Sequence, residues 1–100
     1  MLFRSIAERA LAKAPKSPEV MDTVGWILAR KGDVERGLRL LQRAHAAAPK
    51  QGDITYHYAF TLHKTGKSVE AKRALQRILR AKVKFSELEN ARKLLKDLGG

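Results

Sequence analysis

Three histidines are the side chains best suited to acid–base or metal chemistry, and their spacing argues against both. They are His45, His57 and His63, and the chain has no cysteine. No H-x3-H or H-E-x2-H spacing occurs, so the sequence predicts no zinc site. His57 and His63 lie six positions apart and do not share a helical face well. Because no serine, histidine and aspartate combine into a nucleophilic site, we expect no catalysis, no metal and no cofactor.

The run Gly66-Lys67-Ser68 contains only the last residues of a phosphate-binding loop. That loop needs a glycine five positions before Gly66 and a strand in front of it. Position 61 is a threonine instead. The run therefore predicts a helix break with an N-cap and no nucleotide site.

Positive charge is the most distinctive feature of the composition. Lys and Arg number 21 against 10 Asp and Glu, which gives a net charge of +11. The excess is similar in residues 1–50 and 51–100, and no basic tail exists. Two interpretations stay open: an ordinary solvated basic surface, or a surface for nucleic acid, anionic lipid or an acidic protein.

Several arginines recur at a period of 34 residues, and we call this set of side chains the arginine ladder. If equivalent helices stack, these side chains form a stripe that would bind phosphate groups. Against that function, this position is commonly solvated and basic in helical repeats, and no aromatic residue that would stack on bases is interleaved with it. The arginine ladder comprises Arg9, Arg39, Arg43, Arg73 and Arg77, which occupy the repeated positions, and Arg80, which extends it.

Turn residues divide the chain into six predicted helices and no strand. Apolar residues recur at helical spacing between breaks at Pro15, Gly32, Pro49 with Gly52, and Gly66. Ser17 before Pro18 predicts an N-cap, and the S-x-x-E motif from Ser86 to Glu89 predicts a capping box. The helices are predicted at residues 2–14, 18–31, 34–48, 53–65, 68–82 and 86–98.

The termini and hydropathy bear on localisation and assembly. No apolar run approaches the ~18 residues of a membrane span. Charged residues interrupt the N-terminal apolar residues, which predicts an amphipathic helix and not a signal peptide. We expect a soluble chain, either cytoplasmic or, as a piece of an exported protein, periplasmic.

The first helix is expected to have an open apolar side, through which two copies could associate. The residues expected on that side are Phe3, Ile6 and Ala7.

The chain repeats itself at a fixed period. A shift of 34 residues brings Ala14-Pro15-Lys16 onto Ala48-Pro49-Lys50 and Gly32 onto Gly66. This period and its spacing of small and bulky positions resemble the tetratricopeptide repeat family. The residues that match its signature are Met21, Val24, Gly25, Leu28, Gly37, Leu41 and Pro49 in one repeat, and Thr55, Tyr58, Ala59, Leu62, Ala71, Leu75 and Val83 in the next.

The resemblance implies an all-α solenoid of antiparallel helical hairpins. Residues 1–17 would be the second helix of a truncated repeat, followed by repeats at 18–51 and 52–85 and a capping helix at 86–100. Close crossing of paired helices would place Gly25 opposite Gly37 and Ala59 opposite Ala71.

A narrower resemblance concerns the runs 18–26, 56–59 and 85–98. They are similar to the last repeats of long bacterial tetratricopeptide proteins that occur beside exopolysaccharide and exosortase/PEP-CTERM systems of the cell envelope. This resemblance implies a fragment of a larger, exported scaffold.

The tetratricopeptide resemblance implies protein–protein interaction through a concave groove lined by the first helix of each repeat. Lys and Asn of the family's carboxylate clamp are replaced here by Asp22 and Trp26, which argues against binding of chaperone tails. We expect a peptide or partner helix to be anchored by aromatic side chains and oriented by Arg30 and Lys64. The groove residues are predicted to be Asp22, Trp26, Arg30, Tyr56, Phe60, His63 and Lys64.

Overall fold

The computed structural model describes the backbone of residues 2–100 and the side chains of residues 8–100. Within that part of the chain every regular element is a helix, as the sequence predicts. Phe3, Ile6 and Ala7, expected on an open apolar side, lie outside the described side chains. The six helices are α1 (Leu2–Lys13), α2 (Pro18–Arg30), α3 (Val34–Ala47), α4 (Gly52–Lys64), α5 (Ser68–Arg80) and α6 (Leu88–Asp97).

Helices that follow one another in the chain pack against one another. The pairs α2–α3 and α4–α5 form hairpins, and α3 also packs on α4. Helix α4 also contacts α2 and α6, which are not its neighbours in the chain. These three helices therefore form one layer, and α4 lies at its centre.

Two glycines bring α2 and α3 close together. A Cβ atom on Gly25 would lie 2.9 Å from the carbonyl oxygen of Gly37, and one on Gly37 would lie 2.6 Å from the carbonyl oxygen of Gly25. No side chain fits at such distances. The predicted facing of Gly25 and Gly37 is confirmed, because only hydrogen at both positions permits this crossing.

The buried apolar residues form two clusters that α4 connects. One cluster holds Met21, Leu28 and Ile54, and the other holds Leu62 and Leu75. Ala59 and Ala71, the second predicted small pair, are both fully buried in the latter cluster. Since α4 supplies Ile54 to one cluster and Leu62 to the other, the two hairpins share one continuous packing arrangement.

Helix breaks follow the local rules of the chain. The Ser17 hydroxyl accepts the Val20 N–H at 3.2 Å, which confirms the predicted N-cap. Gly32 and Gly66 adopt φ values of +104° and +83° after α2 and α4. That backbone region favours glycine, so these two residues end the helices as predicted. Gly52, expected to be a break, is instead the first residue of α4.

The predicted capping box at Ser86 is wrong. Helix α6 begins at Leu88, and Glu87 holds the N-cap position. The Ser86 hydroxyl donates to Asp53 Oδ2 and the Glu87 N–H donates to Asp53 Oδ1, both at 2.9 Å. Glu89 instead accepts from Arg92 at 2.7 Å. A carboxylate from α4 thus takes the role that the local motif assigned to Glu89.

Candidate functional site

Three aromatic side chains meet on the layer of first helices. Trp26 belongs to α2, and Tyr56 and Phe60 belong to α4. The Trp26 and Phe60 rings lie 5.4 Å apart at 79°, and Tyr56 lies 6.5 Å from Trp26 and 6.0 Å from Phe60. All three are half-buried. The sequence predicted all three residues in the groove, and we call them the aromatic strip.

A cavity of about 360 Å³ opens beside the aromatic strip. The Arg30 guanidinium lies 5.2 Å from the Trp26 ring centroid, and Lys64 Nζ lies 5.3 Å from that of Phe60. Both cations are exposed, so each can hold its ring contact while it faces an incoming group. The cavity is lined by Trp26, Ala29, Arg30, Val34, Tyr56, Phe60, Thr61 and Lys64.

His57, whose spacing from the other histidines predicts no metal site, contacts residues on both sides of this arrangement. Its Nδ1 is 2.8 Å from Asp22 Oδ1, and its Nε2 is 3.7 Å from Glu87 Oε2. Its ring stacks on Trp26 with centroids 4.2 Å apart and planes 17° apart. Asp22, predicted on the groove rim, is therefore engaged by His57 with its side chain only 14% exposed.

The surroundings of Tyr56 favour the neutral form of its phenol. Burial raises the pKa of Tyr56 above its ordinary value of 10, the carboxylate of Glu87 raises it further, and the Arg30 guanidinium opposes both. A neutral phenol can donate a hydrogen bond from its O–H group. Tyr56 therefore offers the cavity both an apolar ring and a polar tip.

His63, the remaining predicted groove residue, lies away from the rings. Its Nδ1 is 3.1 Å from the Ser68 hydroxyl at the start of α5. It is half-buried and is not among the described residues that line the cavity. Of the seven predicted groove residues, five line the cavity, Asp22 pairs with His57, and His63, near the end of α4, contacts Ser68 at the start of α5.

The arginine ladder lies on α1, α3 and α5, and its six side chains are all exposed. In the described part of the chain, Arg39, Arg43, Arg73, Arg77 and Arg80 have no ion-pair partner. Helices α3 and α5 carry no Phe, Tyr or Trp, and the His45 ring of α3 is half-buried and stacked on Tyr58. Their exposed surface is therefore cationic without a ring that could stack on a base.

Three features of the described residues bear on chemistry and membranes. No group of histidine, aspartate and glutamate in them could hold a metal ion. None of their helices has the length and apolar character needed to cross a membrane. No described side-chain nitrogen or oxygen is buried without a hydrogen-bond partner.

Comparison with known proteins assigns the chain to a family. The sequence model of the tetratricopeptide repeat matches residues 28–98. The chain belongs to the tetratricopeptide repeat family. Tetratricopeptide repeats generally mediate protein–protein interaction and typically act as scaffolds without catalysis. Searches of curated proteins and of solved structures returned no match. The resemblance to exopolysaccharide and exosortase/PEP-CTERM proteins stays a prediction.

Proposed function

We propose that this tetratricopeptide chain binds an acidic segment of a partner protein in the groove formed by α2 and α4. The cavity beside the aromatic strip supports the proposal most directly. Three aromatic rings are part of its wall, and Arg30 and Lys64 are the only charged groups among the described residues that line it. An apolar side chain of the partner would enter the cavity, while carboxylates beside it would meet the two cations.

The rings suit an anchoring role. Tryptophan, tyrosine and arginine dominate binding energy at protein interfaces, and they do so in pockets from which water is excluded. A volume of about 360 Å³ accommodates one large apolar side chain such as leucine or phenylalanine. Ala29 and Val34 extend the apolar wall beside the rings.

Charge selects the partner's chemistry. No aspartate or glutamate is among the described residues that line the cavity. The nearby Asp22 and Glu87 carboxylates both face the His57 ring nitrogens. Arg30 and Lys64 therefore favour a segment whose large apolar residue is flanked by aspartate or glutamate.

An array of twelve-residue peptides tests this partner class. Each peptide carries one central leucine, phenylalanine or tryptophan between acidic, neutral or basic flanks. We expect the wild-type chain to retain acidic-flanked peptides, and Trp26→Ala with Phe60→Ala to lose them while circular dichroism shows the fold retained. If that double variant unfolds, the rings are core residues and the groove loses its anchors.

A charge reversal makes the test specific. Arg30→Glu with Lys64→Glu should shift selection from acidic to basic flanks. The matched control, Arg39→Glu with Arg73→Glu, makes the same change in net charge on exposed positions of α3 and α5. If the control shifts selection equally, net charge governs binding and the groove does not.

The arginine ladder supports a second candidate, a binder of nucleic acid or anionic surfaces. Its exposure and its lack of ion-pair partners in the described part of the chain favour this candidate. Duplex DNA tests it, because phosphate binding falls steeply with salt as counterions are released. Salt-sensitive DNA binding that is lost in Arg39→Glu with Arg43→Glu and Arg77→Glu, together with an absence of peptide selection, would reverse our ranking.

A further inference from the structure

We propose that His57 is the positioning residue of the groove: its imidazole, fixed from two other elements, supports the plane of the Trp26 ring. The binding part of this proposal rests on the proposed function. The positioning part concerns the free protein and stands on the contacts of His57 alone.

Both nitrogens of the His57 ring face carboxylates from outside its own helix. Asp22 of α2 lies 2.8 Å from Nδ1, and Glu87, in the segment before α6, lies 3.7 Å from Nε2. The His57 side chain is only 13% exposed. Rotation of the ring would leave the largely buried Asp22 carboxylate without this partner, which is costly. The imidazole is therefore held in one orientation.

Glu87 is itself fixed in place. Its backbone N–H donates to Asp53 Oδ1 at 2.9 Å, and the neighbouring Ser86 hydroxyl donates to Asp53 Oδ2. Asp53 belongs to α4, one turn before His57. The chain of contacts from Asp53 through Glu87 to His57 thus ties the start of α6 to the groove.

The oriented imidazole forms a floor for Trp26. The two rings are nearly parallel with centroids 4.2 Å apart, whereas Phe60 meets Trp26 at 79°. These two contacts define the plane and the position of the indole. Without the imidazole, the indole could tilt toward the vacated space, and the cavity that it lines would change shape.

The spectroscopy of the free protein tests the positioning role, because Trp26 is the only tryptophan of the chain. We expect His57→Gln to shift the Trp26 emission maximum and weaken its near-ultraviolet circular dichroism while the helical signal is retained. The matched control is His63→Gln, a half-buried histidine of the same helix bonded to Ser68. An unchanged tryptophan signature in folded His57→Gln overturns the proposal.

A second variant keeps the test decisive if His57→Gln does not fold. Glu87→Gln removes one carboxylate charge and leaves Asp22 on the other nitrogen. We expect a smaller shift of Trp26 emission in the same direction. An emission spectrum identical to that of the wild type overturns the proposal.

Affinity links the positioning role to binding. The probe is a synthetic ten-residue peptide with one central phenylalanine flanked by glutamates. We expect His57→Gln to weaken its binding roughly three- to tenfold, the range of one aromatic contact, and His63→Gln to leave it unchanged. Equal binding by the wild type and His57→Gln overturns the binding part of this proposal and leaves the proposed function standing. A wild type that binds neither this probe nor any array peptide overturns the proposed function, and with it the role of His57 in binding.

Discussion

At the scale of single residues, the absence of side chains at Gly25 and Gly37 determines how closely α2 and α3 approach. Each Cβ position falls within 3 Å of the other glycine's carbonyl oxygen. Added atoms would have to separate the two helices, because backbone oxygens cannot move aside as a flexible side chain can. Substitutions at these two positions therefore destabilise the protein through steric overlap.

A bulky residue at Gly25 should destabilise the protein. We expect Gly25→Leu to lower the free energy of unfolding by roughly 1–3 kcal/mol or more through overpacking, measured by thermal melts. Arg43→Ala, at an exposed position of α3, is the control and should stay within about 0.5 kcal/mol of the wild type. Equal melting temperatures for the two variants would show that the repeat register is wrong.

His45 should make stability depend on pH. Its Nδ1 is 3.2 Å from the Thr55 hydroxyl, and its ring stacks on Tyr58. Burial lowers the pKa of His45 below its ordinary value of 6.5, and the Arg77 cation lowers it further. The unfolded chain therefore binds this proton more readily than the folded chain does. The contribution of neutral His45 to stability is fully present above pH 6.5, the ordinary pKa, and is lost as the pH falls through the lower pKa of the folded state.

Urea unfolding at about pH 7.5 and about pH 5.5 measures this effect. Between those two conditions, we expect wild type to lose more stability than His45→Gln. Val69→Ala, which removes an exposed side chain and no titratable group, serves as the control and should follow the wild type. Equal losses for wild type and His45→Gln would contradict the assignment.

At the scale of elements, α6 depends on α4 for its N-terminus. Asp53 accepts from the Ser86 hydroxyl and from the Glu87 backbone, so a carboxylate about one repeat away performs the capping. The carboxylate also lies near the positive end of the α6 dipole, where a negative charge is stabilising. One side chain thereby joins the last helix to the preceding repeat.

Removal of that carboxylate should loosen α6. We expect Asp53→Ala to cost about 0.5–2 kcal/mol, the range for a lost N-cap, and to speed amide hydrogen exchange in residues 88–97. Glu89→Ala removes an exposed ion pair with Arg92 and should cost about 0–1 kcal/mol. A larger loss of stability for Glu89→Ala than for Asp53→Ala would indicate that the local capping box forms after all.

At the scale of the whole molecule, α4 links the two hairpins, because its residues belong to both apolar clusters. It contributes Ile54 to the cluster around α2 and α3, and Leu62 to the cluster around α5 and α6. In repeat proteins each repeat is stabilised mainly by its neighbours, so cooperativity depends on such shared helices. Two repeats joined in this way should unfold together.

A cavity in one cluster tests this coupling. Leu75 is fully buried, and we expect Leu75→Ala to cost about 2–5 kcal/mol. Urea transitions followed by Trp26 fluorescence and by helical circular dichroism should still coincide. Val69→Ala, on an exposed position of the same helix, is the control. If the native Trp26 fluorescence is retained at urea concentrations where the helical circular dichroism has already decreased, the hairpins unfold separately.

The sequence by itself determined the six helices, their breaks at Gly32 and Gly66, and the 34-residue period. Gly32 and Gly66 end helices through backbone conformations that glycine adopts at little cost, and that effect is local. The same period brought Trp26 near Phe60, because equivalent positions of stacked hairpins lie side by side. The tetratricopeptide resemblance placed Gly25 opposite Gly37, where the two helices of one hairpin cross.

Only the tertiary structure decided the polar partners. Asp22 with His57, and Asp53 with Glu87, lie 35 and 34 residues apart in the chain. Periodicity places such residues in neighbouring repeats, but it does not say which donor meets which acceptor. Ser86 could pair locally or with Asp53, and net hydrogen-bond energies of about 1 kcal/mol make such alternatives nearly equal in isolation. The packing of α4 against α6 decides between them, because it brings the Asp53 carboxylate within bonding distance of Ser86 and Glu87 together.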